Sequence, residues 1–509
     1  MIKMSSISTS NVTSGFIDLA TFDEIEKYMY GGPDATAYFV RETRKATWFT
    51  QVPVILSRAS GNAGFGQEWS AQISRAGDYL LQTWLRLGLS EVRLASTVSD
   101  LTYPGTLPTG SPTPYYTVRW TKNFMHNLVK ECAITFNDLV AARFDCYHLD
   151  FWANFTVPAG KQNGYLNMIG NTSSLINPIL PPSVSADSAL TAHNLNLPLP
   201  LFYGRDSGVA LPTAALPYND MRINFVFAPW QDLLIGQWSD SGAYPVNSTN
   251  CLVNPNYLQH VPAINNCAVW ANYAIVSNDE RKRMACAPRD ILIEQVQSAP
   301  RQSFLTAGNN NPSYDIRFSH AIKVLFFAAW NRTAVQIGSN YSTLEPIVYT
   351  TQSTRGTVTN TIALSIMPPA ASDPILSTSL IYENTARLSN MGSDYFSLVN
   401  PYFNAPVIPL QIGYHSYSYS LDFICLDPMG STNYGKLTNV SIQPTPSLAA
   451  LASVALALPK NTAGEPIYLP VPNPQTSGYC TAQAFDFIVT AVNNNIIRIS
   501  GGALGFPVL

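Results

Sequence analysis

Ile134-Thr135-Phe136-Asn137-Asp138, followed by Phe144 and Asp145, is echoed by Leu380-Ile381-Tyr382-Glu383-Asn384, followed by Ser393 and Asp394, 246 positions later. This pair is one of four echoes that keep the same order along the chain. Ile73-Ser74-Arg75-Ala76, leading to Leu81 and Trp84, matches Phe318-Ser319-His320-Ala321, leading to Phe326 and Trp330, at a spacing of 245. Tyr218-Asn219 stands before one β-type run as Asn433-Tyr434-Gly435 stands before another, and 272–278 resembles 488–494; both of these spacings are 216. Each echo is weak alone, but shared order and near-constant spacing indicate a duplicated unit of about 220–255 residues. The drop to 216 places a longer late insertion in the first half, such as 236–266.

The local pattern within each copy is that of strands. Met221, Ile223, Phe225 and Phe227 alternate with Arg222, Asn224 and Val226, and Tyr417, Tyr419, Leu421 and Phe423 alternate with Ser418, Ser420 and Asp422. A period of two marks a strand with one buried face. Stretches rich in Pro, Gly and Ser separate the runs, roughly at 95–117, 172–195, 236–266, 299–313, 333–373 and 444–482. Helical candidates such as 278–284 are few and short. The reading is therefore all-β: two tandem eight-stranded antiparallel jelly-roll β-sandwiches with short helices and long insertion loops. The boundary falls near Asp290, where a charged stretch with Pro288 precedes the β run 291–296. This gives an N-terminal arm at 1–35, a first jelly roll at 36–290 and a second at 291–509.

The arm carries one predicted helix. Thr21 with Glu24 three residues on reads as a capping box. Phe22, Ile25 and Met29 then share a face, and Gly31, Gly32 and Pro33 stop the helix. A tail of small residues precedes it. The apolar face serves either as an assembly contact on a neighbour or as packing against the arm's own sandwich; the residues alone leave both open.

Composition narrows the function. Hydrophobic residues make up 46% of the 509, enough for two cores, while charged residues reach only 12%. That is about half the usual ~25% for a soluble domain, so the surface is either neutral and polar or largely covered by partners. A net charge of −3 offers no positive field for nucleic acid. The seven cysteines, Cys132, Cys146, Cys251, Cys267, Cys286, Cys425 and Cys480, include no C-x-x-C pair. They read as mostly buried free thiols rather than a zinc site or disulfide frame. The longest nearly apolar run, 448–458, has 11 residues and is too short to span a bilayer. The N-terminus shows neither a signal core nor a glycine for myristoylation.

Candidate chemistry is thin. Gly204-Arg205-Asp206-Ser207-Gly208 could surround a serine nucleophile, but Asp, Ser and Gly are turn formers and the turn is the stronger reading. His148 and Asp150 could be metal ligands on one strand face, yet no other His or Cys has matching spacing. Gly61-Asn62-Ala63-Gly64-Phe65-Gly66 lacks the Lys-Ser/Thr of a phosphate loop. No catalytic, cofactor-binding or metal residue is assigned, and no cofactor is expected. A carbohydrate-active β-sandwich enzyme and a lectin-like module stand as the competing classes.

Segments along nearly the whole chain carry a resemblance. They include 13–20, Tyr38-Phe39-Val40-Arg41-Glu42, Arg119-Trp120-Thr121-Lys122-Asn123, Asn167-Met168-Ile169-Gly170-Asn171, 207–212, Gly430-Ser431-Thr432-Asn433-Tyr434-Gly435 and the terminal 495–507. In these the sequence resembles the major capsid proteins of iridoviruses, particularly those of invertebrates, with a family start expected at Met4. The resemblance implies a double jelly-roll protein, made late, that forms homotrimers. Three chains with two sandwiches each give a nearly hexagonal capsomer able to tile an icosahedral outer shell. That shell lies over an internal membrane and double-stranded DNA, and its assembly takes place in the host cytoplasm. The implied partners are neighbouring capsomers, minor capsid proteins and the inner viral membrane surface, with no direct contact to nucleic acid. Phe22, Ile25 and Met29 are the residues expected at an assembly contact.

Overall fold

The computed structural model describes residues 8–41, 43, 45–95, 115–179, 189–239, 253–286, 288–305, 312–333, 335–343, 350–352, 359–361, 372–455 and 483–505. Two units emerge, 1–48 and 49–509. Among the described residues of the second, sixteen strands build two pairs of four-stranded sheets. In the first half these are β1 (Phe49–Ile55), β2 (Glu68–Gln72), β3 (Tyr79–Leu89), β4 (Val129–Phe136), β5 (Leu139–Asp145), β6 (His193–Pro198), β7 (Met221–Phe227) and β8 (Ile264–Val276). In the second half they are β9 (Arg289–Ser298), β10 (Tyr314–Asp315), β11 (Ala321–Asn331), β12 (Ile375–Tyr382), β13 (Thr385–Gly392), β14 (His415–Ser418), β15 (Val440–Pro446) and β16 (Phe485–Ser500).

Strand order shows the duplication directly. The first half forms the sheets β1-β8-β3-β6 and β2-β7-β4-β5, with Ser57–Gly61 added beside β2. The second half forms β9-β16-β11-β14 and β10-β15-β12-β13, with short edge additions. Adding eight to every label converts one pair of sheets into the other, and all the pairings are antiparallel. This is a jelly roll, twice. Ile134 on β4 pairs with Ile223, and Leu380 on β12 pairs with Ile442, so the opening echo lies on equivalent strands. Both strands end in the same kind of turn. Asn137 and Asp138 have φ of 49° and 66°, and Glu383 and Asn384 have 45° and 65°. Two successive left-handed residues are what a two-residue hairpin needs to match strand twist.

The other echoes hold at the level of strands. Leu80 pairs with Tyr273 and Leu325 pairs with Ala491, two residues beyond the Val489 that motif alignment sets opposite Tyr273. A two-residue slip keeps every side chain on its face, so alternation cannot detect it. Tyr218 is exposed whereas Tyr434 is buried, so that echo is positional only.

Core formation follows the period. Along β7 the burial alternates perfectly, with Met221, Ile223, Phe225 and Phe227 inside. One cluster built on these residues fills the first sandwich, and a second around Ile322, Leu325, Phe327 and Phe487 fills the second.

Several expectations are corrected. The alternating run at Tyr417 does not continue as a strand: β14 stops at Ser418. Ser418 Oγ donates to Ser420 O, Ser420 Oγ donates to Asp422 O, and Asp422 accepts from Ile424 N. Such side-chain bonds turn the backbone away from a ladder. The stretch 444–482 contains the end of β15 and a helix, Leu448–Ala455, whose Ala450 N–H bonds to Ser447 Oγ. Most of the loop 95–117, residues 240–252 of the loop 236–266, and 456–482 of the last loop lie outside the described residues. Of the cysteines, Cys132, Cys146, Cys267 and Cys425 are free thiols; Cys251 and Cys480 also lie outside.

In the unit 1–48 the helix α2 (Glu24–Tyr30) is present, but its cap differs. Asp23, not Thr21, is the N-cap, and Glu26 closes the box reciprocally. Thr21 instead donates to Asp18 O at 2.7 Å, where the preceding helix ends. That helix, α1 (Ser8–Ala20), occupies what reads in sequence as a small-residue tail. Val12, Phe16 and Leu19 supply the helical spacing there.

Candidate assembly surfaces

Two kinds of surface matter for a protein with two like modules: the seam that joins them and the apolar faces left open. The seam is built from the β5–β6 connection. Its first helix, α3 (Cys146–Thr156), is capped by Asp145, which accepts from His148 N at 2.8 Å. Phe151 and Phe155 stand one turn apart, so they share a face. They stack on Phe326 of β11 with ring centroids at 5.9 and 5.3 Å. Phe326 points away from its own sandwich core, whose lining residues are its neighbours Leu325 and Phe327. Tyr341, Tyr414 and Phe423 complete the seat. Burying an aromatic of this size contributes about 1.5–3 kcal/mol, so the stack alone makes the seam firm.

A buried carboxylate fastens it. Asp150 Oδ1 accepts from Asn123 Nδ2 at 3.1 Å and from His126 Nδ1 at 2.7 Å, both from the first sandwich. Its Oδ2 accepts from Ser339 Oγ at 2.6 Å and Tyr341 OH at 3.0 Å, both from the second. With Nδ1 donating, His126 Nε2 accepts from Tyr165 OH at 2.7 Å. A second polar group lies nearby. Lys323, 0% exposed, donates to Glu294 Oε1 and to Cys425 O, each at 2.6 Å. Arg205 Nε of the β6–β7 connection approaches Glu294 Oε2 at 2.9 Å, and its guanidinium lies 4.3 Å above the Trp152 ring.

The sequence candidates fall into place within this seam. His148 and Asp150 sit on α3, not on a strand. Asp150 is the fastening carboxylate, while burial, helped by Arg205, pushes the His148 imidazole down to about 3. Ser207 belongs to a short turn in which Asp206 accepts from Gly208 N. Among the described residues no group of three or more His, Cys, Asp or Glu is arranged to hold a metal. Sequence reading missed the seam itself. The signals were Lys323 inside the apolar run 321–330 and the absence of alternation there, which marks a strand covered on both faces.

The open faces are apolar as well. In the N-terminal unit Phe22, Ile25 and Met29 are 49%, 70% and 60% exposed. Ile25 and Met29 lie one turn apart on α2, and Phe22 precedes the N-cap rather than sharing the helix. In the second sandwich a π turn, Tyr395–Val399, runs into α4 (Asn400–Asn404) and presents Leu398, Val399, Tyr402 and Phe403.

Comparison with known proteins identifies this architecture. Residues 37–276 match the family described as major capsid protein N-terminus, and residues 280–505 the family described as large eukaryotic DNA virus major capsid protein. The chain is 58% identical to the major capsid protein of Costelytra zealandica iridescent virus over 505 residues, covering 99% of this chain and all of that one. It is also 58% identical to that of Invertebrate iridescent virus 6, at 99% and 100% coverage, and 43% identical to that of Lymphocystis disease virus 1, at the same coverage. Among solved structures it resembles the PBCV-1 virus capsid chain, with a TM-score of 0.66 at 19% identity over 93% of this chain and 100% of the other. The Faustovirus major capsid protein gives 0.64 at 12% identity over 96% and 98%. At these identities the structural likeness speaks for the fold alone. With both halves matched by capsid families and near-complete relatives at this identity, the chain belongs to the major capsid proteins of the iridoviruses, structural proteins of the virion and not enzymes.

Proposed function

We propose that three copies of this chain assemble into a capsomer of nearly hexagonal outline, and that these capsomers tile the icosahedral outer shell of a large double-stranded DNA virus. The observation that carries the reading is the strand-for-strand correspondence of β1–β8 with β9–β16, down to the same left-handed turn geometry. A three-fold unit imitates six-fold symmetry only if its two modules present like sides. The division into an arm at 1–35 and jelly rolls at 36–290 and 291–509 belongs to the same proposal. So does a role for Phe22, Ile25 and Met29 as an assembly contact with a neighbouring capsomer, a minor capsid protein or the inner membrane surface. Synthesis late in infection and assembly in the host cytoplasm complete it. The low charge fits, since side surfaces covered by neighbours need few solvated charges. Size-exclusion with light scattering tests the first step. A mass near three times 55.7 kDa is expected, together with a three-fold, near-hexagonal outline in electron images. A stable monomer at all concentrations overturns it.

A further inference from the structure

We propose that the Tyr402–Phe403 knob of the second sandwich docks on the outer face of the first sandwich of another copy of this chain, over the Trp84–Trp270 pair. The inference rests on the trimeric reading above and names the contact that closes it.

The chain itself contains the template. The β5–β6 connection of the first sandwich lays Phe151 and Phe155 on the outer face of the sheet β9-β16-β11-β14. The β13–β14 connection is its topological equivalent in the second sandwich, and it too is helical and aromatic. Phe396 anchors it inward, edge-on to Phe327 at 5.2 Å. Asn400, buried, accepts from Ser418 N at 3.2 Å and ties α4 to β14. Held this way, the knob presents Tyr402 and Phe403, packed edge to face at 5.1 Å yet 69% and 73% exposed. Two adjacent aromatics fixed in the open normally mark a contact.

The matching seat is open on the first sandwich. On the equivalent sheet, β1-β8-β3-β6, Trp84 and Trp270 are ladder partners on β3 and β8. They stack at 6.2 Å with an interplanar angle of 11°. Their neighbours Leu85 and Val269 enter the core, so the Trp pair faces outward, half-buried. Beside it lies a cleft of about 430 Å³ lined by Trp84, Met168, Asn196, Pro198 and Leu199. In the second sandwich the corresponding face is the one filled by α3. Each chain therefore has one knob–seat contact made within itself, one knob unused and one seat empty. A knob on one copy meeting the seat of the next is a head-to-tail contact, which repeats until the ring closes. In a trimer, three internal contacts and three between copies give six like joints.

The test uses the full chain. The double variant Tyr402→Ser/Phe403→Ser is compared with the unaltered protein by light scattering across a concentration series, with circular dichroism as the folding control. The expected result is a trimer whose dissociation midpoint rises roughly a hundredfold in the folded variant, as loss of aromatic anchors predicts. A photoactivatable benzophenone placed at position 403 of otherwise unaltered protein is expected to cross-link between chains to Trp84, Met168 or their immediate neighbours. If the unaltered protein is trimeric and the folded variant dissociates at the same concentration, the knob proposal is overturned and the trimer stands. If the oligomer is not a trimer but cross-links still join 403 to the Trp84 face, the knob contact stands and the trimeric reading fails. Should the double variant not fold, the cross-links decide: adducts only elsewhere overturn the proposal.

Discussion

Ser339 of the second sandwich donates a 2.6 Å hydrogen bond to Asp150 of the first, and the carboxylate that receives it is 1% exposed. One buried anion thus collects donors from both modules. Asp150→Ala leaves Asn123, His126, Ser339 and Tyr341 without it at once. Each buried donor left unpaired costs about 1–3 kcal/mol, so with four donors orphaned a loss of at least about 3 kcal/mol follows. Urea unfolding of Asp150→Ala is expected to show a loss of that size, with protease cleavage appearing first between the sandwiches. A loss under about 1 kcal/mol, by the same principle, means the network does not hold the seam.

His148 gives the seam a pH dependence of definite sign. Its ordinary value of 6.5 falls to about 3 in the fold, chiefly through burial and secondarily through Arg205. Between these values the unfolded chain binds a proton that the folded chain refuses, so stability decreases as pH falls from 6.5 toward 3. His148 packs among Phe144, Trp152 and Phe326, so His148→Phe keeps an aromatic shape. Thermal melts at pH 7, 6, 5 and 4 are expected to show a smaller decline for the variant than for the unaltered chain. Parallel declines would place the acid sensitivity elsewhere; Asp78 contributes only below its ordinary value of 3.8. The Arg281 side chain holds its carboxyl below the ordinary value, and stability from that pair is lost as pH falls through the lowered value.

The twin hairpins offer a gain instead of a loss. Asp138 sits at φ 66° in the second turn position, where glycine carries no Cβ penalty. Asp138→Gly makes the turn Asn-Gly, the favoured pair for this geometry. An increase of roughly 0.5–1 kcal/mol is expected, because the relief of left-handed strain exceeds the added freedom of the unfolded chain. Asn384→Gly in the second sandwich should act in the same direction. Destabilisation at both sites would show that the side chains, not the backbone, hold these turns.

How far the fold is legible in the sequence depends on the range of the interaction. The buried face of β7 is written in Met221, Ile223, Phe225 and Phe227, because alternation is a local consequence of the pleat. The duplication is written in the echoes, since equivalent strands need like residues. Register is not, because a two-residue slip leaves the pattern intact. Nor is the run from Tyr417, where serine hydroxyls bend the chain while the alternation continues. The Asp150 cluster draws on residues up to 191 positions away, and nothing local to α3 points to Ser339 or Tyr341. Lys323 and Glu294 are the readable exception: a charge inside an apolar strand implies a buried partner.

The N-terminal unit carries the last prediction. Helices of 13 and 7 residues are too short to persist alone in water. Yet α1 and α2 present Phe16, Leu19, Ile25 and Met29 to the outside, and Phe22 stands open between them. Such faces need cover, and in the proposed assembly a neighbouring capsomer, a minor capsid protein or the inner membrane surface supplies it. Deleting residues 1–32 is then expected to leave trimers of normal thermal stability that no longer form shells. Ile25→Asp with Met29→Asp is expected to reproduce the defect without shortening the chain, because a charge on the apolar face is costly only where that face is buried. If either change abolishes trimers or solubility, the helices are part of the capsomer's own fold. If shells form normally with both changes, Phe22, Ile25 and Met29 make no assembly contact.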